Sequence, residues 1–328
     1  MSVQKSAPRA ISWLQSQDYP YSDTGELVVS KSQYAKGGQY GVEIPVINSL
    51  RVLENTIKAI NDHNVYVTRF NETHGSHLLT DIELEQMLSM CREEGYGIVV
   101  GLGPRPEYDI KGSFYRSQFG LEMGRRNNNL DAIRQCVEES IRLAELGCRG
   151  ITVYDEGVLW VLSEMRSQGY LPKNMKLKTS THMMCANPWI GKMFHDAGAD
   201  SVTTAHDLGL PVIQALRKIN PNLILDVPTD VYKSKGGFIR FYELAELIQI
   251  ASPIMLKMGA SAQGHPYDNV ADGVSFERVK RVAIGLQLLE KQGMSFTRVN
   301  PEDEICCIPE APGAFRYPTN FENILETV

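Results

Sequence analysis

Lys257 is the one charged residue in the apolar run PIMLKMG (residues 253–259). Burial of an ammonium group disfavours its charged form, so a lysine in such a run can present a free amine. A free amine can condense with a carbonyl substrate to a Schiff base. The same residue can instead pair with a carboxylate such as Asp226, hold an anionic substrate, or face outward. His182 and His206 offer a second chemistry. With Asp226, and with Asp155 or Glu156, they supply two imidazoles and carboxylates, a donor set suited to zinc, manganese or iron. A metal held there would polarise a carbonyl or activate water. No HExxH or comparable spacing is present, and each histidine serves equally well as the hydrogen-bond partner of a neighbouring loop. The triplet Asp155-Glu156-Gly157 joins a candidate general base to a helix start, where a carboxylate also caps the first turn. Arg69, Glu72 and Asp230 are candidate substrate-binding residues. Arg125 and Arg126, in a long loop from residue 104 to 129, can clamp a carboxylate or phosphate or stay solvated. The glycine-rich stretch GASAQGHPYD (259–268) is either a phosphate cradle of backbone N–H groups or a plain loop.

What must position these residues is legible as an alternation. Eight strand-like runs occur at 41–47 (GVEIPVI), 65–70 (VYVTRF), 97–102 (GIVVGL), 150–155 (GITVYD), 176–181 (KLKTST), 200–205 (DSVTTA), 223–227 (LILDV) and 253–258 (PIMLKM). Helix-period runs follow each, such as LRVLENTIKAI, whose Leu50, Leu53, Ile57 and Ile60 share one face and which Asn48 or Ser49 can cap. FIRFYELAELIQIA (238–251) reads as the seventh helix. Strict alternation implies parallel strands with crossover helices. Eight units in about 250 residues match a (β/α)₈ TIM barrel. No GxGxxG follows the first strand, which argues against an open dinucleotide-binding sheet. The expected division is an N-terminal extension (1–40), the barrel (41–293) and a C-terminal extension (294–328), the extensions capping the barrel ends or joining a subunit interface of a homo-oligomer. In such a barrel, function collects just after each strand. The residues there are Glu43, Arg69, Glu72, His74, Arg105, Asp155, Glu156, Ser180, His182, His206, Asp207, Asp226, Asp230 and Lys257.

The 328 residues are 43% hydrophobic and 22% charged, with a formal net charge of -6. An acidic balance argues against nucleic acid as a partner. No apolar run approaches the roughly 20 residues that span a bilayer, and the N-terminus lacks a signal-peptide core, so the expected setting is cytoplasmic. The six cysteines, at 91, 136, 148, 185, 306 and 307, form no CxxC pair, and Cys91, Cys136 and Cys148, in or beside helix-period runs, read as buried reduced thiols. The vicinal Cys306-Cys307 pair lacks a nearby third ligand.

From about residue 42 to residue 260 the chain resembles the peptidase U32 family. VEIPVINSLRVLENTIKAI is similar to that family's first strand and helix. GCRGITVYDEGVLWVLSEMR resembles its fourth strand with the Asp-x-Gly turn. KTSTHMMCANPW resembles its Ser-Thr-Gln-Met stretch with a following Asn, here Asn187, and GADSVTTAHDLGLPVIQAL its next strand and helix. The resemblance adds Asn187 as a substrate-binding residue and implies hydrolysis of a C–N bond. His182 stands where the family has Gln, and an imidazole, unlike an amide, can move a proton near neutral pH. After its seventh strand the family usually shows His-Gly-Ala followed by cysteines. This chain has LDVPTDVYKSKGG, so no iron–sulfur cluster is expected. Together these readings describe an enzyme acting on a small polar or anionic carbonyl-containing molecule. Metal-assisted hydrolysis leads, a lyase or aldolase-type reaction at Lys257 is the alternative, and a non-catalytic assembly subunit is the third reading.

Overall fold

Apolar strands alternating with amphipathic helices bury both sheet faces only when helices cover a parallel sheet, and here the sheet closes on itself. The computed structural model describes residues 8–23, 25–105, 126–266 and 270–318. Strands β1 (Tyr40–Pro45), β2 (Arg69–Asn71), β3 (Gly97–Gly101), β4 (Gly150–Val153), β5 (Lys176–Thr179), β6 (Ser201–Thr203), β7 (Ile224–Pro228) and β8 (Ile254–Lys257) form one closed parallel barrel in chain order. Glu43 on β1 lies opposite Arg69 on β2 and opposite Lys257 on β8. The protein is therefore the (β/α)₈ barrel that the alternation predicts.

Among the described residues, α1 (Pro8–Ser16) precedes the barrel. The crossovers are α2 (Leu50–His63), α3 (Asp81–Glu94), α4 (Leu130–Glu145), α5 (Glu156–Ser167), α6 (Pro188–Asp196), α7 (Leu210–Ile219) and α8 (Leu244–Ala251), and α9 (Asp272–Lys291) follows β8. Side-chain oxygens of Ser49, Thr80, Asn129, Asp155 and Asn187 cap α2 to α6 by accepting the free N–H groups of the first turn. Asn48, the other candidate cap, instead accepts from the Thr73 N–H at 2.8 Å. The expected helix over 238–251 is shorter. Val231 N donates to Phe238 O and Arg240 N to Thr229 O, so 238–240 is held beside the end of β7 and regular helix begins at Leu244.

Successive strand residues face opposite sides. Val42, Ile44, Phe70, Ile98, Val100, Ile151, Leu177, Val202, Leu225, Ile254 and Leu256 join the helix faces in one buried apolar cluster. At about 1.5–3 kcal/mol for each large side chain removed from water, this layer supplies most of the folding drive. The alternate positions carry Glu43, Arg69, Asn71, Lys178, Asp226 and Lys257. Arg69 on β2 reaches Asp226 on β7, and Lys178 on β5 reaches Glu43 on β1. These strands are not neighbours, so the contacts cross the lumen.

The C-terminal extension crosses the barrel at the strand N-termini. Ile98 N donates to Cys307 O at 3.1 Å, and Glu310 N to Gly147 O at 2.9 Å. Cys306 and Cys307 are each 2% exposed, and all six cysteines are free and buried. The tail sits against a bare backbone: a Cβ on Gly97 would lie 1.5 Å from the Cys306 carbonyl oxygen. Gly97→Ala should therefore push the tail off the base at a cost of about 1–3 kcal/mol. The measurable consequences are a lower melting temperature and new reactivity of Cys306 and Cys307 toward a thiol reagent. A variant that melts like the parent with its thiols still protected would show that this close approach is dispensable.

Candidate active site

Five charged side chains meet in the lumen. Arg69 donates from Nε to Glu43 Oε2 at 2.8 Å, from Nη2 to both Asp226 oxygens at 3.0 Å, and from Nη1 to the Ile305 carbonyl of the tail at 2.8 Å. Lys178 donates to Glu43 Oε1 in a short ion pair and lies 3.3 Å from Asp226 Oδ2. Ser201 Oγ donates to Asp226 Oδ2 at 3.0 Å. Lys257 completes the set, 3.6 Å from Glu43 Oε1 and 3.3 Å from Asn71 Oδ1. Glu43 and Asp226 are fully buried. Burial alone would raise the Glu43 carboxyl, but Lys178, Arg69 and Lys257 outweigh it and hold the group at about 2. Burial opposes the Arg69 charge as well, and Asp226 and Glu43 more than offset it. The Lys257 amine goes the other way. Burial, then the Lys178 charge, draw it down to about 8, against the pull of Glu43 and Asp226.

Above the network opens a pocket at the strand C-terminal ends, with an empty volume of about 640 Å³ counted to its open side. Lys257 and Asn71 lie on its lining beside Thr152, Tyr154, Ser180, Thr181, His182, His206, Asp230, Tyr232 and Lys235. Lys257 is thus the member of the network that reaches the mouth, with 16% of its side chain exposed.

The other candidates are distributed as follows. His182 and His206 line the pocket with Lys257. Asp226, the third proposed metal ligand, lies below them and gives its oxygens to Arg69, Lys178 and Ser201. Among the described residues no three His, Cys, Asp or Glu side chains group to hold a metal ion. His182, His206 and Asp226 therefore do not converge as a three-ligand group. Asp155 is a helix cap: Oδ1 accepts from Val158 N at 2.9 Å and Oδ2 from Asn127 N at 2.8 Å. Glu156 is gripped by the Arg126 guanidinium, with contacts of 2.7 to 3.0 Å. That fork also accounts for Arg126 of the 104–129 loop, whereas Arg125 and most of that loop lie outside the described residues. Asn187 caps α6 by accepting from Trp189 N and Ile190 N.

Arg69 is committed within the lumen and does not line the pocket. Glu72 accepts from the N–H groups of Gly75 and Gly101 at 3.0 to 3.1 Å and from that of His74. Burial raises its carboxyl to about 7 even so, against the Gly75, Arg105, His74 and Gly101 contacts. Asp230 touches the pocket but is spent on the loop after β8, accepting from Gly259 N at 2.7 Å and from Ser261 N and Oγ at 2.8 and 2.5 Å. Those N–H groups were the candidate phosphate cradle, so the protein's own carboxylate fills it. The end of that stretch is outside the described residues.

Lys178, Asn71 and Tyr154 were missed. The alternation of KLKTST carried the signal for Lys178, since Lys176 and Lys178 share one face of the strand and Leu177, on the other, joins the apolar layer under the helices. Tyr154 follows β4 and packs under the Arg105 guanidinium, 4.3 Å from ring centroid to Cζ.

No family model matches this chain, and no curated protein does. Solved structures similar to it include the U32 peptidase Mk0906, at 14% identity and TM-score 0.39 over 65% of this chain and 73% of that one. The YdjI aldolase from Escherichia coli K12 is similar at 13% identity and TM-score 0.43, over 78% and 91%. A 2,3-dimethylmalate lyase is similar at 8% identity and TM-score 0.46, over 78% and 82%. At these identities none of the three activities transfers to this chain. No described helix is long and apolar enough to cross a membrane.

Glu43 falls from an ordinary 4.5 in the unfolded chain to about 2 when folded. Its contribution, on the order of 3 kcal/mol, is present in full above about pH 4.5 and is lost as the pH falls toward 2. In urea titrations across that range, Glu43→Gln should be less stable than the parent at neutral pH and should lack this part of the acid slope. An unaltered slope would place the acid sensitivity elsewhere.

Proposed function

We propose that the barrel is an enzyme of the lyase or aldolase type, acting on a small anionic carbonyl compound through an imine at Lys257. The observation that carries this reading is the placement of Lys257. Of the three lumenal cations it alone lines the mouth pocket, and its amine is drawn down to about 8 by burial and by Lys178. Near neutral pH an appreciable fraction of that amine is free to attack, where an ordinary lysine has far less.

In the proposed reaction the unprotonated Nζ adds to the substrate carbonyl carbon. The carbonyl oxygen takes up two protons and leaves as water, and Nζ keeps a double bond to carbon as an iminium. The iminium then accepts the electron pair of the bond that breaks at the neighbouring carbon, forming an enamine, while the departing carbon leaves as a carbonyl compound whose hydroxyl proton passes to a base of the pocket. Protonation of the enamine and hydrolysis return the product and the free amine. His182, His206 and Tyr154 surround the same pocket and are the candidates for the proton transfers. Among the described residues the lumen sets three basic side chains against two carboxylates, so an iminium at Lys257 leaves one positive charge unbalanced, which favours a substrate that brings its own negative charge. Metal-assisted C–N hydrolysis has no comparable support, because Asp226 is saturated below the two histidines.

The test is reductive trapping. With borohydride and a panel of small 2-oxo acids, the full-length protein should gain a stable secondary amine on the Lys257 peptide. The yield should rise with pH through about 8 as the amine loses its proton, and Lys257→Met should abolish it. The absence of an adduct at Lys257 with every member of the panel would end the imine reading. His182→Gln, which restores an amide of similar size, should fold normally and still be trapped, while steady-state turnover falls roughly 10²–10⁴-fold. Full turnover in that variant would remove His182 from the proton transfers.

A further inference from the structure

Lys178 and Lys257 approach the same atom. Lys178 Nζ pairs closely with Glu43 Oε1, and Lys257 Nζ lies 3.6 Å from that same oxygen. Two ammonium groups that share one carboxylate oxygen in a buried lumen repel each other in a medium that screens them weakly. Arg69, the third cation, does not give up a proton in proteins. The charge imbalance can therefore be relieved only at one of the two amines.

The contacts decide which. Lys178 is 1% exposed and faces two carboxylates, Glu43 and Asp226, with Asp226 Oδ2 at 3.3 Å. Lys257 has one longer carboxylate contact, and its nearer partner is the neutral amide of Asn71 at 3.3 Å. The charged groups around Lys257 are Glu43 from β1, Arg69 from β2, Lys178 from β5 and Asp226 from β7, with His182, His206, Asp230 and Lys235 across the pocket. The remaining Glu43 oxygen is held by Arg69, and both Asp226 oxygens accept from Arg69 as well. Lys178 therefore holds the better cation position and Lys257 the worse one.

We propose that Lys178 is a positioning residue that favours the uncharged form of the Lys257 amine, by standing as the fixed cation on Glu43 and Asp226. It touches no substrate and acts only through Lys257. The inference rests on the reading of Lys257 as the reacting amine. The direction of the Lys257 shift agrees, since Lys178 is the largest influence on it after burial.

Competitive labelling of the intact protein with a limiting amount of acetic anhydride tests this without any carbonyl substrate. Samples are labelled from about pH 6 to 11, and each lysine is quantified by peptide mass spectrometry. In the parent, Lys257 should react with a midpoint near 8, ahead of the surface lysines. In Lys178→Met, the Lys257 midpoint should rise toward the ordinary lysine value. Its labelling at about pH 7.5 should fall by at least roughly tenfold, with little change near pH 11. Lys178→Arg keeps the charge and should keep the parental midpoint. An unchanged Lys257 profile in Lys178→Met, or equal rises in the Met and Arg variants, would overturn the proposal. Should the Met variant fail to fold, the parental profile still decides, because a Lys257 that reacts no earlier than the surface lysines contradicts it. A protein with the expected labelling but no borohydride adduct keeps the Lys178 assignment and loses the imine chemistry.

Discussion

The contact of Arg69 Nη2 with both Asp226 oxygens, braced by Glu43 and Lys178, is the constraint around which the rest of the barrel is organised. Barrels of this kind usually fill their lumen with branched apolar side chains. This one places a guanidinium, two ammonium groups and two carboxylates there. Taking such groups out of water costs several kcal/mol each, and the cost is offset only when each charge meets a partner in good geometry. Closure of the sheet supplies that geometry, because Arg69 and Asp226 come from strands on opposite sides of the lumen. The network also reaches the chain's far end: Arg69 Nη1 takes the Ile305 carbonyl, so the tail that seals the strand N-termini helps hold the central arginine. A change at the base of the barrel is thereby coupled to the charges under the mouth.

The fold was readable because the signals that specify it are local and repeated. Each strand was marked by a β-branched run, each of the first helices by an oxygen-bearing residue one position before its first turn. Where the reading slipped, a non-local contact had intervened. Residues 238–240 carry a helical pattern, yet they pair with Thr229 and Val231 at the end of β7 and the helix starts later. The base-covering tail had no periodic pattern, and its docking depends on the absence of a side chain at Gly97.

The site was less legible, for a chemical reason. The oxygens that suit a residue to catalysis or metal binding also suit it to satisfying the bare N–H groups of a helix start or loop. Asp155, Asn187 and Asp230 all stand where either use is possible, and in each case backbone N–H groups have taken the oxygens. Sequence position alone does not separate these outcomes. Lys257 was conspicuous because a charge in an apolar run demands an explanation. Lys178 was overlooked because KLKTST reads as an ordinary alternating strand, and its importance emerges only once Glu43 is seen between it and Lys257.

The excess of one cation in the lumen bears on how such a site can turn over. With three cations and two carboxylates, the empty site favours loss of a proton from the amine least well paired, which is Lys257. An anionic substrate entering the mouth reverses that preference, because its negative charge favours the ammonium form again. Under the imine reading the reversal is useful. An anion that draws positive charge toward Lys257 also stabilises the iminium, which holds that charge on a nitrogen now bonded to the substrate. The same electrostatic imbalance then frees the nucleophile before binding and favours its covalent product afterwards. A neutral carbonyl compound would meet the free amine equally well but would not stabilise the cation that follows, so the net charge of the lumen selects for anions at the step after attack.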